Sequence, residues 1–99
     1  MAIEMTITTT KPANKEWWWN LNPTKMTAID TYMRAQTGFV SYVSEMQGEN
    51  TRIQKLVFQT QEQVSTWRDT LYLKYTEAKE RREYNDSNGF VTIVTQANI

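Results

Sequence analysis

The sequence predicts an α+β fold whose elements run strand, helix, strand, strand, helix, strand. Three observations carry that expectation. Ile3, Met5 and Ile7 alternate with polar neighbours, the period of a strand with one apolar face. Residues 39–59 read as two β-branched and aromatic runs joined by a polar turn at Gln47, Gly48, Glu49 and Asn50. Val64, Trp67, Leu71, Tyr75, Ala78 and Arg82 follow in steps of three and four, the stripe of one helix face.

Each element has a local reason. Lys11, Pro12, Ala13 and Asn14 end the first strand. Trp17, Trp18 and Trp19 follow, and consecutive side chains cannot share one face of a helix or strand. At least one indole should therefore leave its neighbours, and Trp18 in the middle is expected to be the one. Asn22 before Pro23 is a helix start, a capping side chain followed by proline in the first turn. Met26, Ile29, Tyr32 and Met33 then fall at helical spacing, and Gly38 is placed to end this first helix, expected over 23–36, in a left-handed conformation.

The second strand is expected over 39–46, with Val40, Tyr42 and Met46 on one face and Phe39 and Val43 on the other. The third, over 52–59, sets Leu56 and Phe58 opposite Ile53 and Val57. Apolar groups on both faces predict a sheet covered on both sides. Thr60 and Gln63 form a capping box that opens a long helix ending near Tyr84, with Glu77 and Arg81 as an i,i+4 pair and Arg81 and Arg82 suited to its negative end. The charged run over 74–83 reads as the wet face of that helix. Residues 85–89 are turn chemistry, and the last strand is expected over 90–95. The order gives a ferredoxin-like βαββαβ antiparallel sheet with both helices on one face, in one domain over residues 1–99. The uncovered face is then expected to meet a second copy, forming a dimeric α+β barrel.

Composition excludes several chemistries. The 99 residues balance 11 basic against 11 acidic side chains, so no charge footprint for nucleic acid or anionic lipid is visible. Without cysteine or histidine there is no thiolate nucleophile, no sulfur-ligated metal and no neutral-pH proton shuttle of the usual kind. Glu45, Glu49, Asp69 and Glu77 show no metal-ligand or acid–base spacing and read as solvated surface. With no signal-peptide pattern and no membrane-length apolar run, a cytoplasmic protein is expected, with no cofactor, metal, membrane or nucleic-acid partner.

The run Gly38-Phe39-Val40-Ser41-Tyr42, then Asn50 and the strand to Phe58, then Thr60 to Trp67, resembles the antibiotic biosynthesis monooxygenase-like family of dimeric α+β barrels. The match spans about the central third of the chain, and its motifs are mostly structural. The resemblance implies a homodimer with a pocket between sheet and helices. It also implies, as one associated activity, cofactor-independent oxygenation of electron-rich polycyclic phenols. Trp67 matches the helix position of a tryptophan used there, and Thr6, Tyr42 and Tyr32 are candidates to line the pocket. Haem degradation, the other activity, would need an axial histidine where this chain has Glu77, and an asparagine near Thr6 and Thr8; both are missing. A large aromatic on an amphipathic stripe is expected in a core in any case, so Trp67 reads first as a core anchor beside a pocket.

RNA-recognition domains share the element order, but they carry a glycine-aromatic-glycine signature on the third strand, where this chain reads RIQKLVF. The functional expectation is a small homodimeric barrel, either purely structural or holding a flat or apolar small molecule, with Trp67, Tyr42, Thr6, Tyr32 and Trp18 as pocket candidates. The enzyme alternative is a cofactor-independent monooxygenase. No residue is singled out as catalytic.

Overall fold

The computed structural model describes residues Met1–Ile99. Four antiparallel strands, β1 (Ile3–Thr10), β2 (Phe39–Gln47), β3 (Thr51–Phe58) and β4 (Val91–Asn98), form one sheet in the order β2-β3-β1-β4. This is the expected ferredoxin-like arrangement, with β3 and β1 central and β2 and β4 at the edges. Register fixes the two faces, because directly opposed residues point the same way. Ile3 faces Phe58, Met5 faces Leu56 and Ile7 faces Gln54, all on the helix side. There they meet Met33, Val64 and Trp67 in the main core, where Leu56, Phe58 and Val64 are fully buried.

Helices α1 (Trp18–Leu21), α2 (Pro23–Arg34), α3 (Gln61–Thr66), α4 (Tyr72–Lys74) and α5 (Thr76–Ser87) make the other layer, and a π-helical turn, Trp67–Leu71, links α3 to α4. The capping box is formed in both directions: Gln63 N–H donates to Thr60 Oγ1 at 3.2 Å, and Thr60 N–H donates to Gln63 Oε1 at 3.1 Å. Gly38 has φ +83, the left-handed conformation expected of it. No helix is long and apolar enough to cross a membrane.

Several local expectations are corrected. Asn22 does not cap α2 with its side chain; its amide donates back to the Trp18 carbonyl at 3.2 Å, because Asn22 also ends α1. A bulge between Phe39 and Ser41 shifts the register of β2. Phe39 and Tyr42 therefore both pack on the core side, while Val40 is 51% exposed. The long helix is not continuous: Tyr75 has ψ 124 and breaks it, and the helix beyond runs to Ser87 rather than Tyr84. Tyr75 instead stacks on Tyr32 of α2 at 4.1 Å, so a contact between layers accompanies the break. Residues 85–87 are accordingly helical, the turn shrinks to Asn88 and Gly89, and Phe90 is a buried residue before β4, which extends to Asn98. Glu77 and Arg81 make no ion pair, and the last turn of α5 holds no basic residue.

The sheet is covered on one side only. The opposite face carries rows read from the register, among them Val43–Lys55–Thr6–Thr95 and Glu45–Ile53–Thr8–Ile93. Val43 and Ile93 are each 60% exposed on it.

Candidate functional site

A cavity of about 310 Å³ lies between the sheet and the helices. Met5, Ile7 and Leu56 form its floor, from the core face of β1 and β3, and Ile29 and Met33 of α2 with Trp67 form its roof. The third wall is the excursion between β1 and α2 that carries the tryptophans. Trp17 and Trp19 stack at 4.3 Å, whereas Trp18 turns the other way and packs with Ile29 and Ala78. The expected odd-one-out behaviour of Trp18 is observed, although none of the three indoles is exposed. Three side-chain hydrogen bonds tie the excursion to the hairpin and to α5. Trp17 Nε1–H donates to the Glu49 carbonyl at 3.1 Å, Lys11 Nζ to Asn50 Oδ1 at 3.0 Å, and the Tyr84 hydroxyl to the Glu16 carbonyl at 2.6 Å.

The π turn shapes the roof. The Tyr72 N–H bonds to the Trp67 carbonyl, five residues back. In an α-helix five residues overshoot a turn by almost half, but in a π turn they nearly close one. Tyr72 is thereby carried onto the side of Trp67, with ring centroids 5.7 Å apart.

One end of the cavity is polar and ordered. Arg52 Nη2 donates to the Tyr42 hydroxyl at 3.0 Å, which donates in turn to Oε1 of buried Gln54 at 2.6 Å. Arg52 Nε reaches Ser44 Oγ at 2.7 Å, and its guanidinium lies over the Trp19 ring at 4.3 Å. Burial holds Arg52 below the usual arginine range, partly offset by Tyr42, with nearby Arg81 adding repulsion. At the helix wall Arg81 Nη2 donates to the Tyr72 hydroxyl at 2.7 Å. Arg82 Nη1 is buried with no acceptor. No three carboxylates converge in a way that would hold a metal ion.

Of the five sequence candidates, Trp67, Tyr42 and Trp18 line this cavity. Thr6 does not: it pairs with Lys55 and Thr95 on the outer face, one residue out of phase with Met5 and Ile7. Tyr32 lies behind the wall, its ring 5.7 Å from Trp67 and stacked on Tyr75. Sequence reasoning missed Arg52, Tyr72, Arg81 and Arg82. Arg82 carried a usable signal, since an arginine on the apolar stripe must face whatever the stripe faces. The charged run over 74–83 is therefore not wholly a wet face.

No family model and no curated protein matches this sequence. Solved structures do match its fold. Rv0793 from Mycobacterium tuberculosis superposes with a TM-score of 0.72 at 12% identity, covering 100% of this chain and 95% of that one. SnoaB from Streptomyces nogalater, described as a cofactor-independent oxygenase, gives 0.69 at 8% identity, covering 99% and 92%. A Deinococcus radiodurans protein assigned provisionally to antibiotic biosynthesis monooxygenases gives 0.68 at 11% identity, covering 100% and 92%. The fold is therefore that of antibiotic biosynthesis monooxygenase-like proteins, as the residue pattern implied. At these identities the likeness speaks for the fold alone.

Proposed function

We propose that this chain binds a flat aromatic small molecule in the cavity between sheet and helices. The observation that carries the reading is the cavity itself, about 310 Å³ and walled by Trp67, Trp18, Trp19, Tyr72 and Tyr42. Pockets for small molecules combine apolar and aromatic walls with a few fixed polar groups, and here the polar groups gather at Arg52, Tyr42 and Gln54.

A second reading is oxygenation, favoured by the shared fold with an oxygenase and by an indole in the wall. For an anthrone the step would balance with dioxygen as oxidant: one oxygen atom replaces the two hydrogens of the methylene carbon, and the other leaves with them as water. One experiment separates the two. Tryptophan fluorescence is titrated with an anthrone under nitrogen, and air is then admitted at an oxygen electrode. Saturable quenching with a raised Tm is the expected result, and the absence of both removes the binding reading. Oxygen uptake above the buffer rate, lost in Trp67→Phe, would establish the second reading; uptake at the buffer rate ends it.

The homodimer belongs to the same proposal. Val43, Val91 and Ile93 are 60%, 58% and 60% exposed on a sheet face that no helix of this chain covers, and a chain this short gains by hiding such area. Light scattering at micromolar concentration should give twice the 11.7 kDa chain mass, and Ile93→Arg should return it to the monomer. A monomeric mass for the unmodified chain would rule the dimer out.

A further inference from the structure

The chain has five arginines, and they divide cleanly. Arg34 is paired with Asp30 and Arg68 with Asp69, each at 2.9 Å. Arg52, Arg81 and Arg82 have no carboxylate within 4.0 Å, and all three line the same cavity, as does the Asp69-paired Arg68. Two carboxylates also reach its lining: Asp30, which Arg34 occupies, and Asp86, which is solvent-exposed. A chain with no net charge thus concentrates unpaired positive charge in the cavity.

We propose that the cavity takes an aromatic carboxylate, its ring against Trp67 and Tyr72 and its carboxylate on Arg82. The inference rests on the binding reading above and names the class of ligand. Trp67, Tyr72 and Arg82 stand in succession: the two rings are 5.7 Å apart, and the Arg82 guanidinium is 6.0 Å from the Tyr72 ring. A flat acid has the matching order, ring and then anion. Arg82 borders the cavity while its Nη1 is buried with its hydrogen bonds unmade, so a carboxylate that draws the guanidinium towards the cavity gains without displacing a protein partner. Arg81, held by Tyr72, and Arg52, held by Tyr42, supply fixed positive charge that favours an anion over its neutral counterpart. A cationic ligand would meet repulsion from all three.

Calorimetric titration of the full chain with 2-naphthoate and its neutral isostere 2-naphthamide tests the proposal. Naphthoate should bind about tenfold more tightly or better, the scale of a hydrogen bond to a charged group. Arg82→Met should reduce that preference to below about threefold, and Arg82→Lys should restore part of it. A circular dichroism spectrum of each variant checks that it folds. Should Arg82→Met not fold, Arg82→Gln provides the same comparison. Equal affinity of the two probes for the unmodified chain overturns the anion claim and leaves the cavity reading standing. Binding of neither overturns both. A preference that survives undiminished in folded Arg82→Met or Arg82→Gln would overturn the assignment of the carboxylate to Arg82.

Discussion

Trp67→Ala is expected to remove about 3–5 kcal/mol of folding stability, the range for truncating a buried large aromatic. The residue is 3% exposed and belongs to the main core with Met5, Met33, Leu56, Phe58 and Val64. Its ring also meets Tyr32 and Tyr72, each at 5.7 Å. The surroundings have little room to collapse, because the indole already borders open space; its removal would join a new void to the existing cavity. Against a total of about 5–15 kcal/mol for a natural domain, that loss leaves little reserve. Urea unfolding at one fixed protein concentration measures it, a condition that matters if chains pair. A loss below about 1 kcal/mol would show that Trp67 is wall rather than core.

Gly38→Ala is the second large effect, expected at about 2–3 kcal/mol. Two costs add. A side chain at φ +83 enters the left-handed region, at about 1–2 kcal/mol. The new Cβ would also collide with the side-chain amide of Gln63. That amide forms half of the capping box at Thr60, so the collision costs the cap as well, about 1 kcal/mol. A double-mutant cycle separates the two costs. In a Gln63→Ala background the Gly38→Ala penalty should shrink by about 1 kcal/mol, since the collision is gone and only the backbone cost remains. An unchanged penalty would show that backbone conformation alone makes glycine necessary.

The contrast between these positions shows what was legible in the sequence. The left-handed Gly38, the Thr60–Gln63 box and the parity of β1 and β3 are local properties, set by residues a few positions apart, and they were readable in full. Long-range contacts decide the remainder. The bulge after Phe39 has no glycine to announce it, and it reverses which face Val40 shares with Tyr42. Nothing local marks Tyr75 as the point where a helix breaks; its partner is Tyr32, on another helix. Arg81 was expected to reach Glu77 four residues back, but it bonds Tyr72 nine residues back, across that break. The cavity candidates divided on the same principle. Trp67 was found through its stripe, whereas Thr6 failed on parity with Met5 and Ile7, information the sequence already held.

The excursion between β1 and α2 bears on how quickly the cavity can exchange its contents. This wall is attached by the bonds from Lys11, Trp17 and Tyr84, while the sheet beneath it is closed by its own ladders. Opening the wall releases these hydrogen bonds and lifts the buried Trp17 and Trp18 and the Arg52–Trp19 contact, while the ladders of β1 and β3 stay paired. Such an opening is local and leaves the sheet folded, so it costs less than global unfolding. Ligand residence time would then follow the lifetime of that opening, so the cavity can exchange its contents while the strands stay shut.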